Sequence, residues 1–243
     1  MMRYITLVLV AVLGALTGCV NADDSQSKSG EKAAHAKSSD QDSNHSVNES
    51  IRVSAGRKKD DASTVNGSIQ VDTNAAVAGA ETVNGKIELG EHATADELHT
   101  VNGSITLADG AKVSHGVSAV NGKLTLHSGA EVDGGLSNVN GKISLQAAHV
   151  GGLVQTVSGD MDIGSNSHVD GGLLVEKGST DVFWFFHWSS SNDIPKIVIG
   201  PGSVVKGNLR FEREVRLFVN DTATIGPVSG ATPVKFSGDK PPA

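Results

Sequence analysis

Cysteine is almost absent from this chain of 243 residues: Cys19 is the only one, so no disulfide can form within it. Aromatic residues are also scarce, with six Phe, two Trp and one Tyr. Basic residues are outnumbered, 20 Lys and Arg against 27 Asp and Glu, a formal charge of −7. That balance argues against a nucleic-acid partner, because binding one requires cations to neutralise phosphates. No Ser sits in a G-x-S-x-G turn, which leaves nucleophilic catalysis without support. Long apolar runs are missing everywhere except at the start, where "ITLVLVAVLGAL" follows Arg3. This stretch is too short for a comfortable membrane span and reads as the core of an export signal.

That signal runs into "LTGC", Leu16 to Cys19. The four residues resemble a bacterial lipobox, which implies cleavage before Cys19 and attachment of lipid, including palmitate-type acyl chains, to its sulfur. Several acyl chains on one residue anchor a protein stably, each buried CH₂ contributing about 0.8 kcal/mol. Val20 and Asn21 follow the cysteine. By resemblance to the sorting rule of enteric bacteria, the lack of Asp there implies the outer membrane, on its periplasmic face or at the cell surface. Residues 1–18 are thus expected to be a lipoprotein signal peptide and Cys19 the lipid attachment site and membrane contact. Residues 19–60, rich in Ser, Asp, Asn and Lys, show no apolar period and read as a disordered tether. Its root-mean-square reach is roughly 35 Å.

What is abundant is glycine, 29 residues, and repetition. TVNGSIQV (64–71), TVNGKIEL (82–89), TVNGSITL (100–107), AVNGKLTL (119–126), NVNGKISL (138–145) and TVSGDMDI (156–163) recur every 18 or 19 residues. Within each copy apolar and polar residues alternate, as in a strand. A second motif, "KVSHGV" (112–117), "EVDGGL" (131–136), "HVGGLV" (149–154) and "HVDGGL" (168–173), adds another short strand per repeat. The pattern predicts an all-β fold: a single-stranded parallel β-helix, or β-solenoid, of roughly 18–19-residue coils over 61–230. An antiparallel meander is the rival, since Asn-Gly also marks hairpins, but a propeller blade needs about 40 residues.

In such a solenoid Asn66, Asn84, Asn102, Asn121 and Asn140 form a ladder, which Ser158 interrupts. Gly67, Gly85, Gly103, Gly122, Gly141 and Gly159 form a second column, expected at a sharp corner that needs positive φ. The row Ser68, Lys86, Ser104, Lys123, Lys142 and Asp160 offers a long polar face to an extended polymer such as glycan. Between 181 and 195 the period fails. Phe183, Trp184, Phe185, Phe186 and Trp188 crowd into this insertion. Three readings stand: a loop buried against the solenoid, a contact patch for an envelope protein or glycan, or a membrane-surface contact. The charged segment 209–218 is expected to blunt the last coil's open edge, and 231–243 to be a loose tail.

No catalytic residues are assigned. Asp160 and Asp162 are the only close acidic pair on one outward face. His187 lies in the insertion but lacks a hexapeptide fold around it. His149 and His168 share a column, and two ligands make a poor metal site. No cofactor or metal is expected.

The repeats at 64–230 resemble the bacterial β-strand-repeat family of adhesin-like exported proteins, which carries "VNGxI" units. "IVIGPGSVVKGNLRF" (197–211) is similar to bactofilins, polymer-forming β-helix proteins. The first resemblance implies a non-enzymatic, lipid-anchored envelope protein that displays a rigid β-solenoid for adhesion or scaffolding. The second implies a self-assembling envelope element. A carbohydrate-active β-helix enzyme is the third alternative.

Overall fold

The computed structural model describes residues 45–178 and 194–242. Cys19, His187 and the aromatic residues Phe183, Trp184, Phe185, Phe186 and Trp188 lie outside the described residues. The described chain is an all-β parallel β-solenoid with coils about 18 residues apart. One face is a ten-stranded parallel sheet in sequence order, from Ile51–Val53 to Val234–Phe236. Nine spacings of about 4.8 Å make this face roughly 43 Å long.

Register explains the inner columns. Ile51, Ile69, Ile87, Ile105, Leu124, Ile143, Met161, Ile197 and Leu217 are successive partners across the sheet. Val53, Val71, Leu89, Leu107, Leu126, Leu145, Ile163, Ile199 and Val219 are partners two residues on. Side chains alternate across a strand, so both columns point inward, and all but Ile51 are buried. Each fully buried one contributes about 1.5–3 kcal/mol by leaving water. No single coil can enclose these side chains, so the stack is the stable unit.

The remaining sheet has 16 strands and two limbs. In early coils one strand covers both limbs, as in Ala76–Asn84 and Thr94–Asn102. Later coils split it, for example Glu131–Val132 and Leu136–Asn140, around Asp133, Gly134 and Gly135. A coil thus has three limbs. Val77, Ala95, Val113, Val132, Val150, Val169 and Val205 line one inner wall, and Ala80, Leu98, Val117, Leu136, Val154, Leu173 and Leu209 the next.

The corner glycines are required, but not by positive φ. Of the six, only Gly141 has one, at 114°. A Cβ on Gly85, Gly103, Gly122, Gly141 or Gly159 would overlap the carbonyl oxygen of the glycine one coil earlier, and on Gly67 that of Glu49. Stacked backbones leave no room there. Left-handed residues occupy a different corner: Gly56, Asn74, His92, Gly110, Gly129, Ala147, Asn166 and Gly202 have φ between 47° and 70°. All but Ala147 are the third residue of a turn closed by the next residue's N–H, such as Ala75 to Asp72 O at 3.0 Å and Ala111 to Ala108 O at 3.1 Å; after Ala147, the Ala148 N–H donates to Ser167 Oγ at 3.5 Å. Except for exposed Arg57 after Gly56, those next residues are small and buried: Ala75, Ala93, Ala111, Ala130, Ala148, Ser167 and Ser203.

The two ends extend past the expected bounds of 61 and 230. The segment expected to belong to the tether supplies strands His45–Ser46 and Ile51–Val53 and the first three residues of Lys58–Thr64. "VNESIRV" (47–53) is an earlier copy of the repeat, with Glu49 where later copies have Gly. As the first copy among the described residues, it stacks beneath "VNGSIQV" and its Ile51 and Val53 pair with Ile69 and Val71. At the other end, Val234–Phe236 pairs with Arg216–Asn220 and buries Phe236, so 231–243 is not merely a tail. The charged segment 209–218 therefore lies one coil inside the edge it was expected to blunt. Arg210 pairs with Glu212, and the Lys196 ammonium sits 5.1 Å from the Phe218 ring centre.

Gly103→Ala forces a methyl into the backbone of the coil below, and we expect it to cost about 3 kcal/mol or more in urea unfolding, while exposed Glu49→Ala stays within about 0.5 kcal/mol. Equal stability of the two variants would contradict the close-stacking account.

Candidate functional site

The outward corner of each repeat combines four parallel rows. The central one is asparagine. Nδ2 of Asn66 donates to Oδ1 of Asn48 at 3.0 Å, and Asn84 to Asn66, Asn102 to Asn84, Asn121 to Asn102 and Asn140 to Asn121 follow at 2.9–3.0 Å. Amides one coil apart are spaced so that each donates downward and accepts from above. Every rung from Asn66 to Asn121 keeps one N–H and spare acceptor capacity facing water. Asn140 donates but accepts from no described residue, because Ser158 follows it.

Beside the ladder runs a half-buried stripe of Val65, Val83, Val101, Val120, Val139 and Val157. On the other side lie Ser68, Lys86, Ser104, Lys123, Lys142 and Asp160. Lys86 is tied to Glu88 and Lys142 to Asp162, each at 2.7 Å. Asp160 accepts the Lys196 backbone N–H at 2.8 Å. Asp160 and Asp162 are thus each engaged with a partner, rather than aimed together into a groove.

Sequence reasoning missed the fourth row, inside the corner. Thr64, Thr82 and Thr100 are buried and donate to the carbonyls of Glu49, Gly67 and Gly85 at 2.9, 2.9 and 3.2 Å. Each satisfies the carbonyl that forces the next glycine to lack a side chain. Ala119 takes this place one turn on and Asn138 the turn after, its Nδ2 donating to Gly122 O at 2.9 Å while its buried Oδ1 has no partner. The signal was in the text of the repeat: a threonine at an inward-pointing phase of the alternation.

Next to the ladder's upper end is a cleft of about 560 Å³ lined by Gly141, Lys142, Ser158, Gly159, Asp160, Ile194 and Arg216. Arg213 crosses nearby, its Nη1 donating to Val157 O and Ser158 Oγ at 3.2 Å. A smaller groove of about 270 Å³ on another limb is lined by Asp61, Ala78, Gly79, Asp96, Glu97 and His115.

Charged side chains also form outward columns. Lys112 meets Glu131 at 2.7 Å, and His149 lies 3.7 Å from Glu131 and 3.0 Å from Asp170, which also pairs with Lys206 at 2.9 Å. His149 and His168 are register partners, yet His149 is already held between two carboxylates. Among the described residues no group of three or more His, Cys, Asp or Glu converges on a metal position. On the adjacent limb His99 contacts Ser118 Oγ at 2.6 Å and Glu97 at 3.3 Å. Burial pushes the Glu81 carboxyl up; His99 opposes this and Glu97 adds to it. Glu81 therefore supports the fold most when protonated, and that support is lost as pH rises through its raised pKa.

No family model matches the chain, and no curated protein or solved structure does so either.

The His149 bond, with Lys206 next, holds Asp170 below the ordinary carboxylate range. A depressed carboxylate contributes stability above its unfolded pKa and loses it as pH falls through the folded value. His149→Ala should move the Asp170 midpoint upward toward that range in a carbon-detected NMR titration. A midpoint that stays put would show that the histidine bond has no influence.

Proposed function

We propose that this protein is a non-enzymatic, lipid-anchored component of the bacterial cell envelope whose rigid β-solenoid serves adhesion or scaffolding. The observation that carries the reading is the asparagine ladder: five side-chain amide bonds in register along one outward corner. A surface that repeats every strand spacing suits a ligand that is itself an extended repeat. The amide row supplies donors and acceptors, the valine stripe an apolar strip, and Lys123, free of ion pairs among the described residues, a cation. Together they fit an extended glycan, with apolar sugar faces against the valines and hydroxyls against the amides. The acidic residues support a non-catalytic role, because Asp160 and Asp162 are each tied to a neighbour.

The anchoring half of the proposal rests on Cys19 and the "LTGC" that ends in it. No helix among the described residues is long and apolar enough to cross a membrane. A lipidated cysteine followed by 25 mostly polar residues before the first described strand would hold the solenoid at a lipid surface and let it stand away from it.

Two measurements test the two halves. In cells, Cys19→Ala should abolish incorporation of a palmitate analogue and move the protein out of the membrane fraction; unchanged partition would remove the anchor. Calorimetric titration of the purified protein with cell-wall and capsular glycans should give a Kd of about 1 mM or tighter, weakened by Asn102→Ala. Absence of binding to every glycan at that concentration would remove the adhesive role for this corner.

A further inference from the structure

Every ladder residue after Asn48 precedes glycine, and Asn-Gly is the dipeptide most open to attack on its own side chain. The glycine nitrogen can reach the asparagine Cγ because no Cβ shields it. Five such pairs occur here: Asn66–Gly67, Asn84–Gly85, Asn102–Gly103, Asn121–Gly122 and Asn140–Gly141. The solenoid does not treat them alike.

Asn66, Asn84, Asn102 and Asn121 are each held from both sides, donating to the rung below and accepting from the rung above. To turn its Cγ toward the backbone, each must break both bonds. Gly103 and Gly122 carry a further restraint: their N–H groups donate to the carbonyls of Asn121 and Asn140 at 3.0 Å. Asn140 is different. Its Oδ1 accepts from no described residue, and the Gly141 N–H has no partner among the described residues. Gly141 is exposed and has a φ of 114°, alone among the corner glycines in the left-handed region. It also lines the cleft of about 560 Å³, so water reaches the pair.

We infer that Asn140–Gly141 is a site of spontaneous self-modification, and that the ladder protects the other four pairs. In this step the Gly141 nitrogen bonds to Asn140 Cγ, the Cγ–Nδ2 bond breaks, and ammonia leaves carrying the amide proton. The resulting five-membered imide takes up one water at either carbonyl. One route gives aspartate; the other gives isoaspartate, with an extra methylene in the main chain. No oxidant, reductant or other reagent is needed. Either product puts a carboxylate at the open end of the amide row beside Lys142 and Ser158. The isoaspartate also lengthens the backbone at the corner where Gly141 stacks on Gly122, so it loosens the coils above.

Ageing of the full chain at mildly alkaline pH, followed by proteolysis and mass spectrometry, measures each site. In the folded protein, conversion at Asn140 should be about fivefold faster than at Asn84, Asn102 or Asn121, the factor expected from about one net hydrogen bond. In the urea-unfolded chain the five pairs should convert at similar rates. Equal rates in the folded protein, or a faster interior rung, would overturn the inference. Ser158→Asn extends the ladder by one rung, and its amide can donate to Asn140 Oδ1. That variant should slow conversion at Asn140 about fivefold, again the worth of one hydrogen bond. An unchanged rate in a folded Ser158→Asn chain would also overturn the inference. The wild-type ranking decides the matter if the variant does not fold.

Discussion

The constraint behind everything else is the distance between successive turns of backbone. Parallel strands hydrogen-bond at a spacing of about 4.8 Å. Once coils are stacked at that separation in strict register, each residue type has its place dictated by its copy below. A carbonyl one coil down excludes any side chain at the corner, so that position is glycine. A planar amide spans the same gap with one hydrogen bond and stands ready for the next, so the neighbouring position is asparagine. An inward threonine reaches back to the carbonyl that crowds the glycine. The repeated word is therefore a set of answers to one geometric demand.

Much of this was legible in the sequence because register converts periodicity in the chain into contact in space. Val83 and Val101 are 18 residues apart in sequence and neighbours in the fold, so a repeat length read from the text is a coil. The parts that escaped did so for physical reasons. "VNESIRV" was hidden because Glu49 replaces glycine, in a copy that has no earlier repeat beneath it among the described residues. The left-handed corner was illegible because Gly, Asn, His and Ala all occupy it; backbone conformation there is enforced by the turn and by the small residue that follows, not by one residue type. Val234–Phe236 was missed because a single three-residue strand has no period of its own and gains its stability from Arg216–Asn220. The requirement for glycine was read correctly and its cause was not: steric approach, rather than φ, decides it.

The outward surface carries a different lesson. Inside, the columns are uniform because burial selects for shape. Outside, the asparagines alone among the polar rows approach uniformity, beside the half-buried valine stripe; the other polar rows mix Ser, Lys, Asp, Gln and Thr. A uniform row on a solvated surface has to be explained by its own bonding or by a ligand. Here the bonding is sufficient to explain why asparagine is stable there. It leaves one N–H per rung directed at water, which is the chemistry a repeating polar ligand would use. The row also has an end, at Asn140, where the same bonding that protects the interior rungs stops.

Stacking itself is tested most directly by distances along the solenoid. Spin labels at Gln70, paired in turn with labels at Thr106, Thr125, Ser144 and Asp162 in a Cys19→Ala background, read outward positions of one sheet column by dipolar spectroscopy. The account requires separations that grow linearly, by about 4.8 Å for each coil, to roughly 24 Å between Gln70 and Asp162. Distances that fail to increase coil by coil would mean that the repeats do not lie on top of one another, and the ladder and the close glycine contacts would fall with them.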